Sequence, residues 1–301
     1  MKTKRIALFK TSLAPLPPST WISRGMIGAF FFGFSMVTLG GCQAPSSEIL
    51  DSGQTQNAGP TPSPVGPSQP SRTFQTGALL FAGAGTWSSE VNAVESLLRS
   101  KGTTYQKVTS NELNAMTLDQ MGQFGTLIFP GGNGATEANS LSSATRQRIR
   151  DAVQKLGVGY VGFCAGAFIS QAPAPSGGGD VSYGLGVVDG PVLDYYYLEN
   201  QGVTTAITNL SLWDGSTLDV LWYGGPVTQN EGVLARYPDG SPAISQLRSG
   251  AGLVSVTGGH PVVSQATLAS LGFNLTTAQV SQNQEFTFKL IESSILQTPI
   301  L

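Results

Sequence analysis

Charge is scarce in this sequence. Only 11% of its 301 residues are Asp, Glu, Lys or Arg, there is a single histidine, His260, and there are two cysteines, Cys42 and Cys164. So few Cys and His exclude a structural zinc site of four Cys, or of two Cys and two His, and a disulfide scaffold. No metal and no cofactor is expected. Positive charge is nearly confined to one end. The first 42 residues hold Lys2, Lys4, Arg5, Lys10 and Arg24 and no acid, while the remainder, with 11 basic and 18 acidic residues, carries −7. An acidic body poor in Lys and Arg argues against nucleic acid or an anionic membrane surface as partner.

What is present at the N-terminus reads as an address. A basic stretch is followed by the apolar run Met26–Leu39, whose 14 residues fall short of the roughly 20 of a spanning helix but suit a signal-peptide core. Residues 43–73 hold six prolines, many Ser, Thr and Gln, and few large apolar side chains. Such a segment cannot bury enough surface to offset its ordering entropy, so it reads as a disordered tether. From Phe74 onward short apolar runs alternate with amphipathic helical patterns. Strands are expected at 77–82, 105–108, 126–129, 159–163 and 253–256. Helices are expected from Ser88 or Ser89, from Ser110 through Met121, over about 142–156, and over 284–296. Between Val181 and Gly259 a Gly-, Thr-, Val- and Tyr-rich stretch with the turns Asp214-Gly215 and Asp239-Gly240 suggests antiparallel hairpins. The expectation is one α/β domain with a mainly parallel sheet and a hairpin insertion.

Gly162-Phe163-Cys164-Ala165-Gly166 has the Gly-x-nucleophile-x-Gly spacing of a nucleophile elbow, between an expected strand and helix. The nucleophile of such an elbow sits on a tight turn, so small neighbours two residues to either side let strand and helix approach. Free N–H groups at a helix N-terminus favour an anion there. The N–H of Ala165, with those around Gly131-Gly132, would stabilise an oxyanion, and His260 is the only imidazole base the chain offers. The plainer alternative for Cys164 is a small buried hydrophobe in a turn. For His260 it is a loop histidine that only hydrogen-bonds. For Gly83 and Gly85 a purely turn-forming role fits equally well.

Three sets of residues carry a resemblance. Leu39-Gly40-Gly41-Cys42 resembles the bacterial lipobox, which implies cleavage before Cys42 and acylation of its thiol and new amino group, and hence a lipid-anchored protein at the cell or outer membrane with its domain outside the cytoplasm. Pro130-Gly131-Gly132, Gly159 to Ala167, and Gly259-His260-Pro261 resemble the class I glutamine amidotransferase-like superfamily. Gly83-Ala84-Gly85-Thr86, Trp222 to Pro226, and Leu234 to Tyr237 make it look like the domain at the N-terminus of eukaryotic biotin–protein ligases. The resemblance implies a flavodoxin-like three-layer sandwich. It also implies Cys164 as nucleophile, His260 as base, and Gly131, Gly132, Ala165, Gly85, Thr86, Tyr223 and Gly225 around oxyanion and substrate. The domain plan is therefore a signal peptide over 1–41, a lipid-anchored linker over 42–73 and the amidotransferase-like domain over 74–301.

The chain departs from the superfamily at Val262, where a Glu usually orients the imidazole. Another acid or a backbone carbonyl fills that role, or a Cys–His dyad works alone, or catalysis is lost. The expected activity is a hydrolase of an amide or related acyl bond in a small molecule or peptide. Amidotransfer proper would need a synthetase partner. A lipid-anchored, catalytically inactive binding module is the alternative, and a redox-responsive Cys164 a third reading.

Overall fold

The first strand, β1 (Thr76–Phe81), is apolar on both faces. Leu79 and Phe81 join one core cluster and Ala78 and Leu80 another, as the two-residue period of a strand requires. A strand buried on both faces must lie inside a sheet covered on both sides. The computed structural model, which describes residues 73–171, 184–188 and 195–301, shows that arrangement. The signal segment 1–41, Cys42 and all but Thr73 of the linker lie outside the described residues. Among those described, no helix is long and apolar enough to cross a membrane.

Helix α1 (Ser88–Ser100) turns Val91, Val94, Leu97 and Leu98 to the core. It starts at Ser88, as expected, but its N-cap residue is Trp87, which supplies no side-chain hydrogen bond. Strand β2 (Tyr105–Val108) follows. The single helix expected through Met121 is two, α2 (Ser110–Ala115) and α3 (Leu118–Met121), each opened by a capping box, Thr109 with Glu112 and Thr117 with Gln120. Ser110 is no cap: its hydroxyl accepts from the Ala84 N–H and bonds Ser140. Then come β3 (Phe124–Phe129), α4 (Gly134–Asn139), α5 (Ser143–Gln154), β4 (Gly159–Phe163) and α6 (Ala165–Ile169). The hairpin-forming region gives β5 (Thr205–Leu212), β6 (Thr217–Tyr223), β7 (Val233–Arg236) and β8 (Pro242–Ser249). The chain ends with β9 (Gly252–Thr257), α7 (Gln265–Ser270) and α8 (Thr277–Leu296). That last helix starts seven residues earlier than its apolar pattern suggested, because Thr276 and Gln279 form a further capping box.

The sheet order is β2-β1-β3-β4-β9-β8-β7-β5-β6. The first four pairings are parallel and the last four antiparallel. The sheet is therefore mixed rather than mainly parallel, and the hairpins are not an insertion apart from it. Strand β8 pairs with β9 along its length, from Ile244 opposite Thr257 to Ser249 opposite Gly252, which makes the two halves one surface. Leu113, Met121, Ile149, Val153 and Ile169 from α2, α3, α5 and α6 cover one face of the parallel half. Val91, Val94 and Leu98 from α1 and Ile291 from α8 cover the other. Trp222, Tyr196, Tyr237 and Ile244 form a separate core under the antiparallel half.

Two registers place the site. Phe129 lies opposite Gly162, and Phe163 opposite Thr257, so the segments leaving β3, β4 and β9 emerge together at their carboxyl ends. The outermost strand also returns to this edge: Leu221 of β6 bridges His260, whose N–H donates to the Leu221 carbonyl at 2.8 Å.

Candidate active site

Cys164 follows β4 directly and caps the N-terminus of α6 with φ 45° and ψ −98°, a conformation L residues rarely adopt. Among the described residues only Gln297 also has a positive φ without being glycine. Such backbone costs about 1–3 kcal/mol and persists only where its surroundings over-determine it. They do so here. The Cys164 N–H donates to the Thr257 carbonyl at 2.8 Å, its carbonyl accepts from Phe168 N–H at 2.9 Å, and a Cβ on Gly162 or Gly166 would collide with the Gly166 or Phe129 backbone. The side chain is 4% exposed, and its Sγ donates to the Tyr223 carbonyl at 3.5 Å.

His260, three residues beyond β9, is 2% exposed. Its Nδ1 lies 2.9 Å from Oε1 of Glu90, a residue of the first turn of α1 that is fully buried. Glu90 is the acid the sequence did not disclose. Position 262, where the resemblance directs attention, holds a buried valine packed in the α1 core. Nε2 of His260 is buried and has no well-formed hydrogen bond among the described residues. Burial disfavours the imidazolium, but the Glu90 carboxylate and then the Cys164 sulfur outweigh it and hold the imidazole pKa well above its ordinary value. Trp87 stands edge-on to the ring at 5.2 Å and fixes its plane. One signal for Glu90 was in the sequence: with Val94, Leu97 and Leu98 it falls on the apolar stripe of α1, where an acid is out of place unless partnered.

A cavity of about 460 Å³ opens over this arrangement. Of the residues expected at the site, Gly85, Gly132, Cys164, Tyr223 and His260 line it. Four do not. Thr86 turns its hydroxyl back to the Gly83 carbonyl at 2.8 Å. Gly225 is buried against Gly258, its carbonyl bonded by the Trp222 indole N–H at 3.0 Å. Ala165 is buried in the first turn of α6, where helical N–H groups lack intrahelical acceptors. Gly131 differs most from expectation. Its N–H donates to Oε2 of Glu90 and is not offered to an oxyanion, and a Cβ there would strike the His260 ring. Its neighbour is the better donor. Thr86 and Gly132 pair across bonds from Trp87 N–H to the Gly131 carbonyl and Asn133 N–H to the Gly85 carbonyl. Residues of such a non-hydrogen-bonded pair turn their own N–H away from each other. Trp87, Asn133, Glu199, Thr204 and Gly224 complete the lining; of these only Gly224 falls within a stretch the sequence had marked, Trp222 to Pro226.

Residues 76–175 match the family model described as biotin-protein ligase, N terminal. The matched region holds β1 through α6, with Glu90, Gly132 and Cys164, and ends before β5; His260 lies beyond it. No curated protein matches the chain. Among solved structures, SMU.1228c is 14% identical with a TM-score of 0.46, covering 71% of this chain and 97% of that one. The exo-beta-1,4-mannosidase Op5Man5 from Opitutaceae bacterium strain TAV5 is 15% identical with a TM-score of 0.41, over 71% of this chain and 36% of the mannosidase. The cytoplasmic protein STM1381 from Salmonella typhimurium LT2 is 11% identical with a TM-score of 0.37, over 74% and 99%. The chain thus spans little more than a third of the mannosidase, and similarities at this level carry no argument about activity.

Behind the Gly85–Gly132 wall sits a second buried carboxyl, Glu137 of α4, with neither oxygen hydrogen-bonded among the described residues. Burial, and then the charge of Glu90, push its pKa well above the ordinary value. The folded protein therefore holds a proton that the unfolded chain releases above about pH 4.3, so stability falls as pH rises from there towards the raised value, by up to about 1.4 kcal/mol per unit. Glu137→Gln keeps the shape and removes the titration. Its melting temperature is expected to rise relative to wild type as pH increases from 4 to 7, by about 2–4 °C for each kcal/mol recovered. Parallel melting curves across that range would refute the assignment.

Proposed function

We propose that the protein is a cysteine hydrolase of amide or related acyl bonds, with a glutamine amidotransferase-like, flavodoxin-like three-layer domain lipid-anchored at the cell envelope through Cys42. The match of residues 76–175 to the biotin-protein ligase N-terminal model is consistent with such a fold. The observation that carries the chemistry is the strained Cys164 beside an imidazole whose far nitrogen is bonded by the buried Glu90. Nε2 of His260 takes the Cys164 thiol proton, and the thiolate attacks the acyl carbon, forming a C–S bond as the carbonyl π bond opens to an oxyanion. The oxyanion is met by the N–H groups of Ala165 and Gly132, and Nε2 of His260 delivers a proton to the leaving nitrogen as the C–N bond breaks. Water, deprotonated by the now neutral His260, then releases the acid and regenerates the thiol.

The test is a pre-steady-state burst with p-nitrophenyl acetate. Expected are about one equivalent of p-nitrophenolate per chain and an acetyl group on the Cys164 peptide by mass spectrometry. One observation favours a second reading, a binding module of the same fold: the thiol is 4% exposed and engaged with the Tyr223 carbonyl. A linear trace with an unmodified Cys164 peptide would favour that reading and sink the hydrolase.

A further inference from the structure

The charge of the cavity walls identifies a substrate class, on the premise that Cys164 is the nucleophile proposed above. Among the described residues neither lysine nor arginine lines the cavity. The described segments that carry its lining residues, 82–98, 124–145, 156–171, 195–235 and 249–288, contain no lysine or arginine. The one cationic group that lines it among the described residues, the His260 imidazolium, is already offset by Glu90 at 2.9 Å. The lining also includes the exposed carboxylate of Glu199, at the start of the short 3-10 turn Glu199–Gln201. Two further lining residues, Trp87 and the half-exposed Tyr223, set their rings edge to face, 6.1 Å apart. A carboxylate entering here would lose its water and meet no cation. A cation would meet aromatic rings and an acid, the combination that binds ammonium groups. We infer that the cavity selects substrates with a cationic amine close to the scissile acyl group and excludes those with a carboxylate in that place.

Charge-matched thiol reagents test this on the full chain in a non-ionic detergent. The three are methanethiosulfonates bearing 2-(trimethylammonio)ethyl, methyl and 2-sulfonatoethyl groups. In each the Cys164 sulfur attacks the sulfenyl sulfur, forming a disulfide and expelling methanesulfinate. Rates are read on the Cys164 peptide by mass spectrometry and divided by those for 2-mercaptoethanol. The normalised cation-to-anion ratio is expected to be about tenfold or more. It should fall about threefold in Glu199→Gln and again in Tyr223→Leu, both changes at exposed positions. A ratio near one, or a preference for the sulfonate, with rapid reaction of the neutral reagent, would overturn the cationic selectivity and leave the nucleophile standing. If all three reagents failed at Cys164, the nucleophile itself, and this inference with it, would fall.

Discussion

Cys164→Gly is expected to abolish the acyl-enzyme burst and lower steady-state turnover at least about 10⁴-fold, yet to fold more stably than Cys164→Ala. The loss of activity follows from removing the only thiol among the described residues. The stability order follows from the backbone. At φ 45° and ψ −98° an alanine Cβ keeps the strain that cysteine bears, whereas glycine occupies this region readily. Alanine normally exceeds glycine in stability, because glycine loses more chain entropy on folding. Here the sign should reverse, by about 1 kcal/mol. Urea titration of the two variants at equal slope measures the difference. Alanine proving the more stable would show that the elbow holds Cys164 without strain.

Glu90→Ala is expected to cost about 10²–10⁴ in turnover while Cys164 remains in place. Glu90 is a positioning residue: it touches neither substrate nor sulfur, and acts through Nδ1 of His260 and the Gly131 N–H. Removing it leaves both donors unpaired and the ring without its carboxylate counter-charge, so burial, opposed now only by the Cys164 sulfur, brings the imidazole pKa down from its wild-type value. A purely structural role would lower activity at all pH values alike. Loss of the counter-charge instead moves the pH dependence of Cys164 alkylation by iodoacetamide, and Glu90→Gln, which preserves shape, should move it too. Stability supplies the second readout. In wild type the folded-state imidazole pKa is raised, so the contribution of the pair is complete below about pH 6.5 and declines as pH rises through the raised value. In Glu90→Gln that decline should vanish from melting curves taken between pH 6 and 9. Unchanged curves would mean that the pair is not ionic.

What could be read from the chain was what local chemistry writes into neighbouring residues. The elbow was legible because small residues two positions either side of a nucleophile form a local pattern. Gly162 avoids a collision with Gly166 in the same turn, and Gly166 one with Phe129 at the end of the neighbouring strand β3. Strand positions were legible because burial on two faces leaves apolar runs, as in β3 and β4. The split between α2 and α3 was missed although Thr117 and Gln120 spell a cap, because the apolar pattern ran on through it.

The sequence by itself determined that this is an α/β protein with a cysteine on a strand-to-helix elbow and one histidine after a late strand, since both are set by contacts a few residues apart. The tertiary structure decided the rest. Glu90 meets His260 across 170 positions of chain, and nothing near either marks the other. Gly131 was one residue away from the role expected of it, because which N–H of a loop faces a cavity depends on what the opposing chain, here Gly83 to Trp87, leaves unbonded. Tyr223 reaches Cys164 only because β6, outermost in the sheet, comes back to the segment after β9. Hydrogen bonds and buried charge couple groups through space, and a linear pattern records only the partners that happen to be close along it.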